Sequence, residues 1–315
     1  ERPGDRTVGS DPVITAFFGS GPTITAGQEL AIEGKATLAT GVTLAGGTFT
    51  AGSVTNPDAI DFNTGTLRLT GSGVDIAPTG QFGKTLSLDA EQRVDVSNTV
   101  DIQPLGGVEL GAGRLSANTI LVNGRLTGSG RVDGSVFNSG QLQAVGSAGS
   151  PAAMRFTGEV ANNPSGRIAA RNATLRFEDG IENNGEVAVS FGTTDVFGAV
   201  INNTSGRIAV SGGGQVTFWD DVQQNGTMTV SAAGVRSSAA VFFGGYSGDG
   251  VSGGGDVFFE DGRVSSGNSP GAAVFDADVN FGKEATMLIE LAGPARGEQY
   301  DALDVLGDLS LEGGL

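Results

Sequence analysis

The sequence contains no cysteine and no histidine among its 315 residues. Disulfide bonds, thiol nucleophiles and the usual zinc sites are therefore excluded, because each of them needs one or both of these residue types. Aromatic residues make up only 6% of the chain, and tryptophan occurs once. This scarcity argues against a large globular core, whereas a thin core that is extended by repetition needs few large side chains.

Basic residues are scarce as well. The 18 lysines and arginines are outnumbered by 35 aspartates and glutamates, which gives a formal net charge of −17. An acidic surface of this kind repels nucleic acids and anionic membranes, so neither is expected as a partner. No apolar run approaches the roughly 20 residues of a membrane span, and insertion of this chain into a membrane is not expected.

The sequence does contain a repeat of about 20 residues. Three apolar series recur in phase along residues 156–242. The first series is Phe156, Phe177, Phe197, Phe218 and Phe242; the second is Val160, Ile181, Ile201 and Val222; the third is Ile168, Val187, Ile208 and Met228. A unit this short that repeats in phase is typical of one coil of a β-solenoid.

Each repeat also carries an Asn- and Gly-rich turn, as in VANNPSGRI (residues 160–168) and INNTSGRI (residues 201–208). Asparagine and glycine tolerate the positive φ of sharp turns, and asparagines one coil apart are expected to hydrogen-bond to each other or to the backbone. Between the turns, apolar and polar residues alternate over four to six positions, which predicts half-buried strands. The fold class predicted from these features is all-β, a single-stranded parallel β-helix with about 20 residues per coil.

Three segments are predicted. Residues 1–20 form a polar lead with a capping or docking strand, residues 21–255 form the β-helix, and residues 256–315 close it. The first and last coils of such a stack each leave a row of backbone N–H and C=O groups unpaired. These groups must be capped within the chain or paired with another chain. We therefore expect assembly contacts at the two ends, involving Phe17, Phe18 and Leu315, and head-to-tail association of identical chains.

The closing segment carries recognisable motifs: SGNSPGAAVFDADVNFG, then TMLIELAG, then GEQYDALDVLGDLSLEGGL. This run resembles the end of bacterial autotransporter passengers and of extracellular proteins with a PEP-CTERM sorting signal. The upstream NNG and NSG coils resemble the autotransporter-associated β-strand repeats of the same proteins. The resemblance implies export to the cell surface or exterior and a right-handed parallel β-helix. It implies no particular activity.

One candidate ligand site lies in a regular coil. Strand alternation that points Val216 and Phe218 inward points Trp219 outward, next to Asp220 and Asp221. An exposed indole beside carboxylates is suited to stack on a sugar ring. The alternative is that Trp219 covers the turn, with the two aspartates forming a solvated turn like Glu178-Asp179-Gly180.

A calcium site is a further possibility. Asp249 and Asp256 lie in glycine-rich runs similar to calcium-binding glycine repeats, but the order G-G-x-G-x-D is not met. Ca²⁺ is the one cofactor that these runs suggest. The alternative is that the two runs form an irregular glycine-rich loop without a bound ion.

The function expected from these features is that of a non-enzymatic extracellular structural or adhesive solenoid, self-associating into a filament or surface stalk. The alternative is a surface adhesin that binds extracellular polysaccharide through Trp219 and the acidic turns. A polysaccharide-degrading enzyme is disfavoured, because pectinase-like sites need clustered carboxylates and usually a histidine.

Overall fold

The computed structural model describes residues 6–8, 13–14, 21–38, 41–146, 152–232, 236–267 and 270–312. The chain is all-β, and its parallel strands are stacked as a β-solenoid with about 21 residues per turn. The one helical segment within the described ranges is a short 3₁₀ turn, Pro57–Ala59. The predicted fold class is therefore confirmed. The chain divides into two compact units, residues 1–141 and 142–315.

The first unit contains strands of very different length. They are β1 (Arg6–Val8), β2 (Val13–Ile14), β3 (Thr23–Thr25), β4 (Glu29–Leu38), β5 (Val42–Val54), β6 (Ile60–Leu69), β7 (Val74–Ile76), β8 (Thr85–Asp89), β9 (Gln92–Ile102), β10 (Gly107–Val122) and β11 (Arg125–Asn138). The next strand, β12 (Gln141–Val145), contains the boundary between the units.

One column in the core of the first unit consists of Phe49 and aliphatic side chains. Its members are Phe49, Leu67, Val94, Leu115 and Val132, paired in parallel register and each at most 1% exposed. The long strands change direction where their pairing register shifts. In β10, such a shift lies between Gly111 and Arg114. Such bulges bend a strand without ending it.

The second unit uses shorter strands of three to five residues. They are β13 (Ala152–Phe156), β14 (Val160–Asn162), β15 (Arg167–Arg171), β16 (Ala173–Phe177), β17 (Ile181–Asn183), β18 (Glu186–Ser190), β19 (Thr193–Val196), β20 (Val200–Asn202), β21 (Arg207–Ser211), β22 (Gln215–Phe218), β23 (Val222–Gln224), β24 (Thr227–Val230), β25 (Ala239–Phe242), β26 (Tyr246–Gly248), β27 (Asp256–Phe259), β28 (Arg263–Ser266), β29 (Ala272–Phe275), β30 (Asp278–Phe281), β31 (Thr286–Leu288), β32 (Ala302–Val305) and β33 (Leu309–Leu311).

Most of these strands form three parallel stacks, whereas β29 and β32 pair with each other in a separate two-stranded sheet. The first stack is β13, β16, β19, β22, β25, β27, β30 and β33. The second is β14, β17, β20, β23, β26, β28 and β31. The third begins with β15, β18, β21 and β24. Pairing in the first stack continues through residue 256, where the closing segment was predicted to start.

The phenylalanine column of the first stack differs from the predicted one at a single turn. Phe177 pairs with Val196, and Val196 pairs with Phe218. Phe197 therefore lies one residue past the column, and its placement in the core was wrong. The second series has the same one-residue error, because Val200 rather than Ile201 pairs with Ile181.

The remaining predicted members stand in register. Phe156 pairs with Phe177, Phe218 pairs with Phe242, and all four rings are at most 1% exposed. The third series, Ile168, Val187, Ile208 and Met228, is one continuous column as predicted.

A ladder of side-chain amides runs through the second stack. The Nδ2 group of Asn162 donates to Oδ1 of Asn183 (2.7 Å), Asn183 donates in the same way to Asn202 (2.7 Å), and Asn202 donates to Oε1 of Gln224 (2.8 Å). All four residues are fully buried. The hydrogen bonding predicted between asparagines one coil apart is confirmed, and it meets the requirement that buried polar groups find partners.

The turn that contains β19 packs less tightly than its neighbours. Thr194 and Val196 occupy inward positions that Leu175 and Phe177 fill one turn earlier. A small internal cavity is lined there by Thr194, Val196 and Phe218, and the Thr194 hydroxyl has no hydrogen-bond partner within the described residues. A buried hydroxyl without a partner costs about 1–3 kcal/mol.

We predict that Thr194→Val raises the free energy of unfolding by about 1 kcal/mol, because it removes an unpartnered hydroxyl and keeps the shape of the side chain. Thr217→Val is the matched control: Thr217 is also buried, but it accepts a hydrogen bond from Gln215 (3.1 Å), so its replacement should destabilise the protein. Urea titration of the three proteins measures both effects. Equal effects of the two substitutions would contradict the assignment.

Candidate functional site

The most distinctive outer feature of the second unit is a stack of three aromatic rings at the corner after the first strand stack. Phe197, Trp219 and Phe243 each follow directly on an inward-facing residue, at successive turns. The Phe197 and Trp219 ring centroids are 5.5 Å apart with an interplanar angle of 2°, and those of Trp219 and Phe243 are 4.6 Å apart at 6°. Parallel stacking at about one strand spacing follows from the register of the strands.

Charged residues continue this column beyond Phe197. The Arg176 guanidinium lies 4.4 Å from the Phe197 ring centroid, a cation–π contact. Glu178 accepts hydrogen bonds from Arg155 (2.5 Å) and from Nε of Arg176 (3.2 Å). These two arginines, Arg155 foremost, hold the pKa of the Glu178 carboxyl below its usual value.

The predicted sugar contact of Trp219 needs correction. The indole is 41% exposed, but Phe197 covers one of its faces and Phe243 the other, so only the ring edge is accessible. Its Nε1 group donates to Oδ1 of Asp195 at 3.3 Å. A pyranose needs an open ring face for stacking, and Trp219 offers none.

Asp220 and Asp221 support the backbone of the same corner. Oδ2 of Asp220 accepts the N–H of Gly198 (2.7 Å), and Oδ1 of Asp221 accepts the N–H of Gly245 (2.9 Å). Each carboxylate therefore ties its own turn to an adjacent one. This is the turn role that the sequence left open as the alternative to ligand binding.

A groove of about 630 Å³ lies beside this corner. It is lined by Phe243, Gly244, Gly245 and the outer residues of neighbouring turns, including Asp221, Gln223, Asp261 and Arg263. Sites for small molecules have volumes of roughly 300–1,000 Å³. A second groove, of about 410 Å³, lies in the first unit beside Asp75 and Asp101 and has no aromatic ring in its lining.

The structure does not bring the predicted calcium ligands into a recognisable metal site. Within the described ranges, no group of three or more acidic side chains could hold a metal ion. Asp249 accepts a hydrogen bond from the buried Tyr246 hydroxyl through its main-chain oxygen, and Asp256 begins β27 between Ala239 and Asp278. Burial raises the pKa of the Tyr246 phenol.

The predicted assembly residues Phe17, Phe18 and Leu315 lie outside the described residues. The last described turn, however, exposes several apolar side chains that the sequence analysis did not single out. They are Met287 (38%), Ile289 (41%), Leu291 (80%), Leu306 (67%), Leu309 (50%) and Leu311 (54%). We call these six residues the terminal apolar patch.

Asp301 links the motifs of the closing segment, and its role was not predicted. Its side chain accepts the N–H of Gly271 through Oδ1 (2.8 Å) and the N–H of Glu290 through Oδ2 (2.9 Å). Only 4% of Asp301 is exposed. Gly271 belongs to the SPG turn, Glu290 to the IELAG run and Asp301 to the YDAL block, so one carboxylate joins the three motifs.

No protein-family model, curated protein or solved structure matches this chain. Among the described residues, no helical segment is long and apolar enough to cross a membrane.

We predict that Glu178→Gln makes stability less sensitive to acid. The lowered pKa means that the ionised Glu178 stabilises the fold above the usual glutamate range, and that this stabilisation is lost as the pH falls through the folded-state pKa. The stability difference between wild type and Glu178→Gln should therefore shrink as the pH falls from the usual glutamate range through the lower folded-state pKa. Glu159→Gln, at an exposed position on the same corner, is the control. Parallel pH profiles of wild type and Glu178→Gln would contradict the prediction.

We predict that Asp301→Ala destabilises the closing turns by about 3 kcal/mol, because two main-chain N–H groups lose a charged acceptor. Amide hydrogen exchange in β29 and β32 measures the effect. Asp304→Ala removes an exposed ion pair with Arg296 and should cost less than about 1 kcal/mol. Similar exchange rates in the two variants would argue against the role assigned to Asp301.

Proposed function

We propose that this protein is a non-enzymatic, extracellular structural solenoid that associates head to tail into a filament or surface stalk. The observation that carries the proposal is the terminal apolar patch. Leu309 pairs with Val279, and Leu311 pairs with Phe281, so both leucines continue inward-facing columns. Val279 and Phe281 are buried, whereas the two leucines at the end of these columns are half exposed.

The last described strands have an edge that no other described strand covers. In the described part of the chain, β33 pairs with β30 and β31 pairs with β28, each along one edge. Among the first described strands, β1 and β2 pair with β4, and β3 pairs with β5, each along one edge. Because all these pairs are parallel, a second copy meets an open edge with the correct strand direction only when its first turn follows the last turn of its neighbour. This arrangement is heterologous and does not close, so it generates a filament.

Burial of the terminal apolar patch contributes to such association. Completing the burial of a half-exposed leucine is worth about 1 kcal/mol, and the patch holds six apolar side chains. The hydrogen bonds of the newly paired edges set the register, as they do between turns within the chain.

The extracellular location and the absence of catalysis are supported by the sequence. The closing motifs resemble those of exported passengers, and an acidic surface with a formal charge of −17 favours solubility for an extended β protein. A solenoid stack supplies length and repeated outer surface, which suits a stalk or an adhesin more directly than a catalyst.

We predict that the double substitution Leu309→Glu and Leu311→Glu abolishes end-to-end association, because it places two charges on the apolar ends of the columns. Sedimentation velocity over a hundredfold concentration range should show growing assemblies for the wild type and a monomer for the variant. Electron microscopy should show fibres only for the wild type.

Leu105→Glu provides the matched control, because Leu105 is 70% exposed, belongs to the first unit and is not a member of the terminal apolar patch. It should assemble like the wild type. A wild type that stays monomeric at the highest concentration, or a double variant that assembles equally well, would overturn the proposal.

A further inference from the structure

We propose that the groove beside Phe243 binds a neutral saccharide, whose ring packs against the exposed part of the Phe243 side chain. This inference is independent of end-to-end association, because the groove lies on the side of the second unit and shares no residue with the terminal apolar patch.

The aromatic stack ends at Phe243. Trp219 covers one face of the Phe243 ring, and the corresponding corner position of the following turn is Glu260, whose N–H bonds to the Phe242 carbonyl. No further ring stacks on Phe243 within the described residues. The ring is 37% exposed and lines the groove. Of the three stacked rings, Phe243 is therefore the one that lines the groove.

Glycines keep the groove open next to this ring. Gly244 and Gly245 follow Phe243, and Gly262 takes the equivalent corner position of the next turn. A Cβ atom on Gly244 would lie 2.2 Å from the carbonyl carbon of Asp220, and one on Gly262 would lie 2.5 Å from the Gly244 oxygen. The close approach of the turns thus requires glycine here, and Gly244, Gly245 and Gly262 place no side chain in the groove.

Polar groups lie along the floor and rim of the groove at one-turn intervals. Gln223, Ser247 and Ser265 are paired in register on successive strands of the second stack and line the floor. Arg263 is exposed at the rim and has no ion pair within the described residues. Amide, hydroxyl and guanidinium groups spaced by about 4.8 Å can bond successive hydroxyls of a saccharide chain.

The carboxylates of the rim are held in place by the backbone. Asp221 accepts the Gly245 N–H (2.9 Å), and Asp261 accepts the Gly262 N–H (2.6 Å), each through Oδ1. Their second oxygens make no hydrogen bond within the described part of the chain, so they are free to accept from ligand hydroxyls. A concave site with an aromatic wall and a few fixed polar groups is the usual form of a ligand site.

Charge selects among saccharides. Two carboxylates and one arginine surround the groove, and the whole chain has a formal charge of −17. Uronate or sulfate groups would be repelled. A neutral polyhydroxylated chain satisfies the donors and acceptors without that penalty.

The experiment uses the single tryptophan as a reporter. Trp219 stacks directly on Phe243, so a saccharide that packs against Phe243 should change its fluorescence. The probes are dextran, xyloglucan, galactomannan and mixed-linkage β-glucan, with polygalacturonate as the anionic comparison. We expect a saturable change in emission with at least one neutral probe. Retardation of the protein in gels that contain the same probe measures affinity without relying on Trp219.

Phe243→Ala should weaken retardation by about tenfold or more, as expected for loss of an aromatic anchor, and Arg263→Ala, which leaves the rings intact, by a smaller factor. Phe191→Ala is the matched control, because Phe191 is 62% exposed in the same unit and does not line the groove. It should bind like the wild type. Absence of any response to the neutral probes, unchanged binding by Phe243→Ala, or stronger binding to polygalacturonate would overturn the proposal.

Discussion

The hydrogen-bonded register between successive turns is the constraint on which the rest of this structure depends. A one-residue slip of a strand turns every side chain to the opposite face. The amide ladder from Asn162 through Asn183 and Asn202 to Gln224 opposes such a slip, because each buried amide would lose its partner in the next turn. An unpartnered buried amide is costly in an interior of low polarity, so the ladder specifies one register as well as stabilising it.

A fixed register makes the outer surface as regular as the core. Phe197, Trp219 and Phe243 stack because their inward neighbours Val196, Phe218 and Phe242 are stacked. The same logic places Gln223, Ser247 and Ser265 in one row. Outer residues do little for the core, so they are free to differ from turn to turn. A site with its own chemistry arises where the residue type in a row changes from one turn to the next. Phe243 is such a position, because it is the last ring of the aromatic stack.

The sequence predicted the period, the strand stacks and the amide ladder, because these depend on residues that recur. It failed at Phe197, because Val196-Phe197 and Val200-Ile201 each offer two apolar residues and even spacing favours the wrong one of each pair. The sequence analysis did not predict the groove, because the groove depends on the particular turn that follows Phe243 and not on a residue that recurs. The sequence did contain a signal for the outer stack, namely two adjacent large residues at each of three turns: Val196-Phe197, Phe218-Trp219 and Phe242-Phe243. The first unit repeats less regularly, because its turns and bulges vary in length.

Assembly into a filament would affect the two proposed surfaces differently. In the proposed filament, the terminal apolar patch would be buried between copies, whereas the groove beside Phe243 would stay accessible and would be presented once per copy. Along a filament, grooves on successive copies would contact one polysaccharide chain, and each contact after the first would be intramolecular. Linkage of this kind raises overall avidity by about 10²–10⁴ without any new contact. In the proposed filament, a shallow groove with one aromatic wall would therefore be sufficient for adhesion, even where a single copy binds its saccharide weakly.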